Sequence, residues 1–579
     1  MKRLFRPETA FFVLAWLGLS AAFRDRAFAD PGALWHIKVG EIVLDRGIPQ
    51  TDPFSYTFEG APWVPQQWGA EVLMALAHRA GGLDFLLLGF TAGLALLYTL
   101  LFRRCVQGGM GPMLAAVVVG GVLFVGAFHY YIRPHMFTIA LLAWTMACVI
   151  DFERGRATAW RLAGQIPLYV LWTNLHGGVL GGTMTLGCAV AGWGLVFLAR
   201  ERATQPTPLA PLPEGRGEPE LDTPNRVHEA RDSSSSLPSG RGAGGVGHAA
   251  PEASPLSPIP NWRTAFLLAC IVGACALTPF VNPHGTEMIR TWQKIVGSKV
   301  LPELVSEHKP LDPTSPLGLT VLALGAVYLL LLGSTLRTAD GKFAWPRVSW
   351  LIPLVWLALS FKGIRQGPLF AVCAGVAIAD LWKHTFFHRY LLKNGDGSTA
   401  WDADTPAEAE KRHSPLWAAL LVPALLVAIS SKLIAHKVEV PLVGAGWARL
   451  HPKYVPTDLN DAVREYAASV PPGTRVFNDA NLGGYLMYHA PELKIFMDDR
   501  CELYGDEWIR GYSDTLGLPP AELGPVFEYW AQKWQFERAL IQSNGPGAEK
   551  LPLEVYLSAS PKWREVARGQ SAVMYARVP

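Results

Sequence analysis

Charge is what this 579-residue chain lacks. Only 17% of its residues are Asp, Glu, Lys or Arg, against about a quarter in soluble proteins. Net charge is +3 with no broad basic tract, which argues against nucleic acid as a partner. Seven cysteines are scattered without a CxxC or a His/Cys ligand spacing, so neither a zinc site nor a disulfide framework is supported. No P-loop, GxSxG or HExxH occurs in a suitable context, so ATPase, serine hydrolase and zinc protease readings fall away. Apolar residues take the place of charge: 50% of the chain is hydrophobic, with mean hydropathy +0.20. Its 21 tryptophans suit interfacial belts, where an indole sits half in lipid.

Apolar runs organise the chain. The head, MKRLFRPETAFFVLAWLGLSAAF, reads as an uncleaved first span rather than a signal peptide, because Arg24, Asp25 and Arg26 crowd the supposed cut at Ala27-Phe28-Ala29. Further runs are Leu83–Phe102, Met113–Phe128, Met136–Ile150, Leu162–Leu175, Val179–Leu198, Ala265–Val281, Leu317–Leu332, Trp350–Leu359, Leu369–Leu381 and Leu416–Ile434. Together they predict an α-helical polytopic membrane protein of about 11 spans. Gln67–Arg79 reads as a helix lying at the interface. Basic residues fall on alternate loops, which puts the N-terminus in the cytoplasm and the tail outside.

Four regions follow. Residues 1–200 form an N-terminal membrane half, 201–262 a Pro/Gly/Ser-rich disordered cytoplasmic insertion, 263–436 a second membrane half, and 437–579 an external soluble α/β domain. Asp396–His413 is a shorter polar linker. In the tail, Leu459–Ala468 reads as a helix with Thr457 and Asp458 as N-cap candidates. Arg475–Asn478, Lys494–Met497, Arg538–Ile541 and Ala572–Ala576 read as strands.

The densest polar stretch is the first external loop, Asp30–Trp68. Asp30 and Asp52 each precede a proline, the signature of a turn opener. Asp30 lies where a span meets the external face, one helical turn before Trp35-His36, so it is the better candidate for a general base. With Asp52 it is also a candidate to hold a divalent metal, whose requirement stays open. Trp63 and Trp68 read as anchors against the membrane surface. Later external loops carry Arg133 and His135 in YYIRPHMF, Asn174 and His176 in WTNLHGG, His284, Glu307, His308, Lys362 and Arg365. Ionisable groups at membrane depth mark a substrate path. His36, Arg133, His135, Asn174, His176 and Arg365 form the candidate set for an anionic group such as a phosphate, which Arg grips with a planar fork. Gly177-Gly178 and Gly181-Gly182 allow a ligand or a neighbouring helix to approach closely. In the tail, Asp498-Asp499-Arg500 reads first as a structural ion pair with a helix cap.

The loop resembles that of bacterial GT-C-type membrane glycosyltransferases, in particular a group with a DP..WH…G.P..DPFS…W pattern. The segments RPHMFT (Arg133–Thr138), WTNLHGG, NPHG (Asn282–Gly285) and RQGPLF (Arg365–Phe370), with the tail's GGYL and FMDDR, are similar to that group's later motifs. The resemblance implies a GT-C-like fold, an active site in the first external loop and a sugar donor on a polyprenyl phosphate. It also implies that Asp30 activates or orients the acceptor. Two departures stand out. Pro31 replaces a second adjacent acid, and Gln66-Gln67-Trp68 stands where relatives often carry His-Glu-Trp. The expected function is therefore transfer of a sugar from a lipid-linked donor to an unidentified acceptor at the external face of a bacterial inner membrane. The competing class is a transporter or lipid-handling scaffold without chemistry, although no internal repeat of the kind many transporters show is evident.

Overall fold

The computed structural model describes residues 6–204, 258–337, 342–394 and 416–579. The expected disordered insertion, apart from its ends, and the polar linker lie outside the described residues.

Apolar composition over long stretches gives helices, and each predicted run falls on one or two of them. Among the described residues, eight helices are long and apolar enough to cross a membrane. They are Trp68–Gln107, Pro112–His129, His135–Glu153, Val179–Arg202, Trp262–Phe280, Pro316–Ser334, Ile364–His384 and Leu416–Ala435. Helix α1 (Pro7–Ala22) and helix Val348–Lys362 are apolar but shorter. The run Leu162–Leu175 is split between Ala159–Ala163 and Gln165–Leu175. Helix Ile364–His384 is the most enclosed of the eight. It packs against helices Trp68–Gln107, Pro112–Gly126 and His135–Glu153.

The opening loop is not a loop throughout. Gly32–Arg46 forms helix α2, closed by Gly47 at φ +85, a value glycine reaches without steric cost. The amphipathic segment expected from Gln67 to Arg79 is the first part of α3 (Trp68–Gln107). Gly81 and Gly82 break the helical geometry between it and the apolar part, Gly82 at φ +65. The glycine pairs after His176 do allow close packing. A Cβ on Gly177, Gly178, Gly181 or Gly182 would strike Trp292, Thr138, Trp356 or Trp172 respectively, at 2.2–2.8 Å.

The tail forms a five-stranded sheet in the order β2-β1-β3-β5-β4, with helices packed around it. Strand β1 (Arg475–Asn478) runs parallel to β2 (Lys494–Ile495) and β3 (Arg538–Gln542); β5 (Ala572–Arg577) is antiparallel to β3 and to β4 (Trp563–Arg568). The predicted strands lie on β1, β2, β3 and β5. The sequence reading missed β4, whose outward pattern Arg564, Glu565 and Arg568 is too polar for a strand signal. Thr457 and Asp458 do not cap the following helix, Asn460–Ser469. They form a 3₁₀ turn before it, and Asp458 accepts from the Gln570 amide at 2.6 Å instead.

The first loop is built into this sheet. Phe54 and Tyr56 exchange backbone hydrogen bonds with Ile495 on edge strand β2, at 3.2 and 3.1 Å. Lys494 Nζ donates to the Pro53 carbonyl at 2.9 Å, and Tyr56 is buried in the tail's own core. The GGYL motif explains the rest of the junction. A Cβ on Gly484 would stand 2.3 Å from the Pro31 carbonyl oxygen, and one on Gly483 2.6 Å from Asp498. Only paired glycines let helix Gly483–His489 lie directly on the Asp30-Pro31 turn.

Candidate active site

Asp30 sits at the start of α2, where its Oδ1 accepts from the Gly32 amide at 2.8 Å. Its Oδ2 accepts from Arg133 Nη1 at 3.0 Å. Both side chains remain partly open to solvent, at 11% and 21%. The tail adds a third member. Asp499 Oδ1 accepts from Trp35 Nε1 at 2.6 Å. Gly32 is the point where the three meet: a Cβ there would stand 3.0 Å from Asp30 Oδ1, 3.1 Å from Asp499 Oδ2 and 3.2 Å from Arg133 Nε. Any larger side chain would occupy the space between two carboxylates and a guanidinium. Burial pushes Asp499 up to about 7; Arg133 opposes the shift, and Asp30 and Asp498 support it.

Behind this trio lies a polar wall. Glu307 Oε2 stands 4.0 Å from Arg133 Nη1 and 3.8 Å from His129 Nδ1. Burial pushes the Glu307 carboxyl up, but Arg133 and the surrounding histidines more than offset this and bring it to about 2. Arg365 Nη1 donates to His308 Nε2 at 2.6 Å. Burial, reinforced by Arg365, lowers His308 to about 4, so it is neutral at pH 7 and suited to accept. Among the described residues no carboxylate lies within ion-pair distance of Arg365, which leaves its charge to be met electrostatically by Glu307 or by a ligand.

The histidines are ordered by backbone and hydroxyl groups. His135 Nε2–H donates to the His129 carbonyl at 2.7 Å. His176 Nδ1 accepts from the Gly178 amide at 3.0 Å and contacts Thr138 Oγ1 at 2.8 Å, which fixes the proton on Nε2. The rings of His129 and His135 lie 4.3 Å apart, and those of His135 and His176 6.5 Å. His36 is fully buried on α2, its Nδ1 2.9 Å from Glu71 Oε1. Burial holds it well below its usual range, and Arg133 adds to the effect. Glu71, missed by the sequence reading, places a carboxylate in the first turn of α3, three residues after Trp68 and just beyond Gln66-Gln67.

Asp30, Arg133, His135, His176 and Arg365 therefore belong to one polar region. Three predicted site residues are engaged elsewhere: His36, fully buried against Glu71, and Asn174 and Asp52. Asn174 uses both ends: Nδ2 donates to the Val170 and Val281 carbonyls, and Oδ1 accepts from Trp68 Nε1 at 2.9 Å. It ties helices together. Asp52 is not brought to Asp30. It is buried, caps the turn through the Phe54 and Ser55 amides, and pairs with Arg500 Nη2 at 2.8 Å. Arg500 also pairs with Asp498 at 2.6 Å, and all three side chains are fully buried. A metal shared by Asp30 and Asp52 does not fit this arrangement, and among the described residues no group of three or more His, Cys, Asp or Glu could hold a metal ion. The tryptophans are not surface anchors either. Trp63 is buried with the Arg500 guanidinium 4.5 Å from its ring centroid, and Trp68 serves Asn174.

The tail motif thus splits in two. Asp498 and Arg500 form the expected structural pair, whereas Asp499 points the other way and joins Asp30. The chain bends at Asp499 ahead of helix Cys501–Leu516, so its carboxylate leaves the Asp498–Arg500 pair.

No protein-family model matches the chain, and no curated protein matches it in sequence. Among solved structures the chain aligns with the Archaeoglobus fulgidus oligosaccharyltransferase in the apo form, with TM-score 0.47 at 12% identity over 93% of this chain and 70% of that one. The same archaeal protein tethered to an acceptor peptide containing the NVT sequon scores 0.43 at 11% identity over 93% and 69%. At these scores the likeness bears neither on the fold nor on the chemistry.

Proposed function

We propose that this chain is a GT-C-type membrane glycosyltransferase that moves a sugar from a polyprenyl-phosphate-linked donor to an acceptor at the external face of a bacterial inner membrane. The observation that carries the reading is the convergence of Asp30, Arg133 and Asp499 on Gly32, beside Arg365 and the His129–His135–His176 row. Carboxylates and unpaired cationic charge in one partly open region suit a reaction that takes a proton at one end and releases a phosphate at the other.

In this reading Arg133 orients Asp30. The acceptor hydroxyl gives its proton to Asp30 as its oxygen bonds the anomeric carbon, and the bond from that carbon to the phosphate oxygen breaks. The charge left on the lipid phosphate falls to Arg365, with His176 Nε2–H as a neutral donor. Asp499 holds the second carboxylate position that Pro31 does not supply in sequence. Trp35 fixes its orientation, and its raised proton affinity suits it to hold or exchange a proton.

The test is Asp30→Asn in purified full-length protein, assayed for incorporation of radiolabelled sugar from a polyprenyl-linked donor. Loss of incorporation with the fold intact is the expected result. Unchanged incorporation removes Asp30 from the mechanism. No transfer by the wild type from any donor favours the lipid-handling reading, in which Asp30 and Arg133 are only a structural pair.

A further inference from the structure

We infer that the tail carries a second ligand site, a cleft for the flat face of a pyranose ring. The choice of a sugar as its occupant rests on the glycosyltransferase reading. The cleft is a cavity of about 550 Å³ between helices Cys501–Leu516 and Pro520–Trp534, within the size range of small-molecule sites.

Its walls are aromatic. Trp508, Tyr512, Trp530 and Trp534 line it and are each only half-buried. Tyr512 and Trp530 lie with their ring planes 8° from parallel. Phe58, from the first loop, closes one side with its ring edge-on to Trp508 at 5.2 Å. Polar groups stand among these rings. Glu507 and Lys533 are exposed at the rim, and Trp508 Nε1 is buried with no hydrogen-bond partner.

That mixture selects a ligand chemistry. Aromatic faces carry partial negative charge, so they attract the weakly positive C–H groups on the apolar face of a pyranose. The ring's hydroxyls then offer an acceptor to Lys533 and a donor to Glu507 at the rim. An acyl chain would fill the same space without using the Glu507 and Lys533 rim. A phosphate would meet the Glu507 carboxylate. Two residues that border the cleft lie on segments that reach the Asp30 region. Phe58 belongs to the loop that begins at Asp30, and Phe496, which also lines the cleft, lies three residues before Asp499.

Saturation-transfer NMR on the full-length protein in lipid nanodiscs tests this. The probes are trisaccharides of glucose, galactose, mannose and N-acetylglucosamine, with a proline-rich peptide as the competing aromatic-cleft ligand. At least one trisaccharide should receive saturation on its ring C–H protons. Trp508→Ala should weaken that binding about threefold to tenfold, the loss of one aromatic contact. Two milder variants guard against misfolding: Trp508→Phe keeps a smaller aromatic face, and Lys533→Ala lies at the exposed rim. Both should weaken binding. Asp30→Asn should leave it unchanged while abolishing transfer. Saturation on none of the trisaccharides, or on the peptide alone, overturns the proposal, as does sugar binding indifferent to all three cleft variants. Trisaccharide binding by a wild type that transfers no sugar would sustain the cleft and remove the glycosyltransferase reading instead.

Discussion

Asp30-Pro31 and Asp52-Pro53 read almost alike, yet the fold gives them opposite surroundings. Asp30 meets Arg133 where both are partly open to solvent, with a second carboxylate, Asp499, across Gly32. Asp52 meets Arg500 where neither is, inside a closed set with Asp498, Tyr504 and Ser55. The first arrangement leaves space and charge for a ligand. The second pairs its charges internally, with Arg500 Nη1 left without a hydrogen-bond partner, and fastens the loop to the tail. The same dipeptide thus serves as a candidate reactive group in one place and a rivet in the other, and only burial tells them apart. A buried pair of this kind resists the loss of one partner far more than it adds net stability.

Breaking the two sites should therefore give different phenotypes. Asp30→Asn should lower sugar transfer about 10²- to 10⁴-fold, the range for loss of a general base, with no change in thermal unfolding followed by tryptophan fluorescence. Arg500→Met should show the reverse. It leaves Asp52 and Asp498 buried without a counter-charge, at a cost of about 3–5 kcal/mol, seen as a lowered unfolding midpoint and poor yield of folded protein. Gly484→Ala tests the junction between the two sites. Its new methyl must displace the Pro31 backbone, so a loss of about 1–3 kcal/mol is expected from overpacking, with transfer per folded molecule also reduced.

The smallest effect concerns pH. Asp499 rises from an ordinary carboxylate value to about 7 on folding. The folded chain then binds the extra proton between those two values, so this group's contribution to stability falls as pH climbs through that window and is at its least above 7. Asp499→Asn removes the penalty. Its unfolding midpoint should exceed the wild type's by a margin that grows from pH 5 to pH 8. Glu307, lowered to about 2, contributes fully across that interval and adds no slope. A margin that is flat with pH would show that Asp499 is ionised throughout.

Much of this architecture is legible in the sequence because it rests on local composition. The apolar runs sit on helices, and four of the five tail strands follow from short β-branched and aromatic segments between turns. The helix expected from Gln67 to Arg79 is also there, as the first part of α3 ahead of a two-glycine break. What the sequence hides is pairing at long range. Nothing near Asp30 announces Asp499, 469 positions away, or says that Asn174 is consumed by Trp68 and two carbonyls. The tryptophans mislead for a related reason. An indole at a loop end suits an interface, but Trp63 is taken up by Arg500, a cation that the sequence places in a different domain. Gly483-Gly484 is hidden in the same way: what the pair lies against, the Asp30-Pro31 turn and Asp498, is not visible from the pair itself.

The central claim is that the Asp30 region transfers a sugar. Purified full-length protein in liposomes, supplied with radiolabelled sugar on polyprenyl phosphate and a mixed extract of envelope acceptors, tests it most directly. Movement of label from the organic-soluble carrier to an acceptor by the wild type, and by Asp52→Asn in proportion to its folded fraction, but not by Asp30→Asn, is the expected result. Label that stays on the carrier with every donor, or that moves equally with Asp30→Asn, contradicts it.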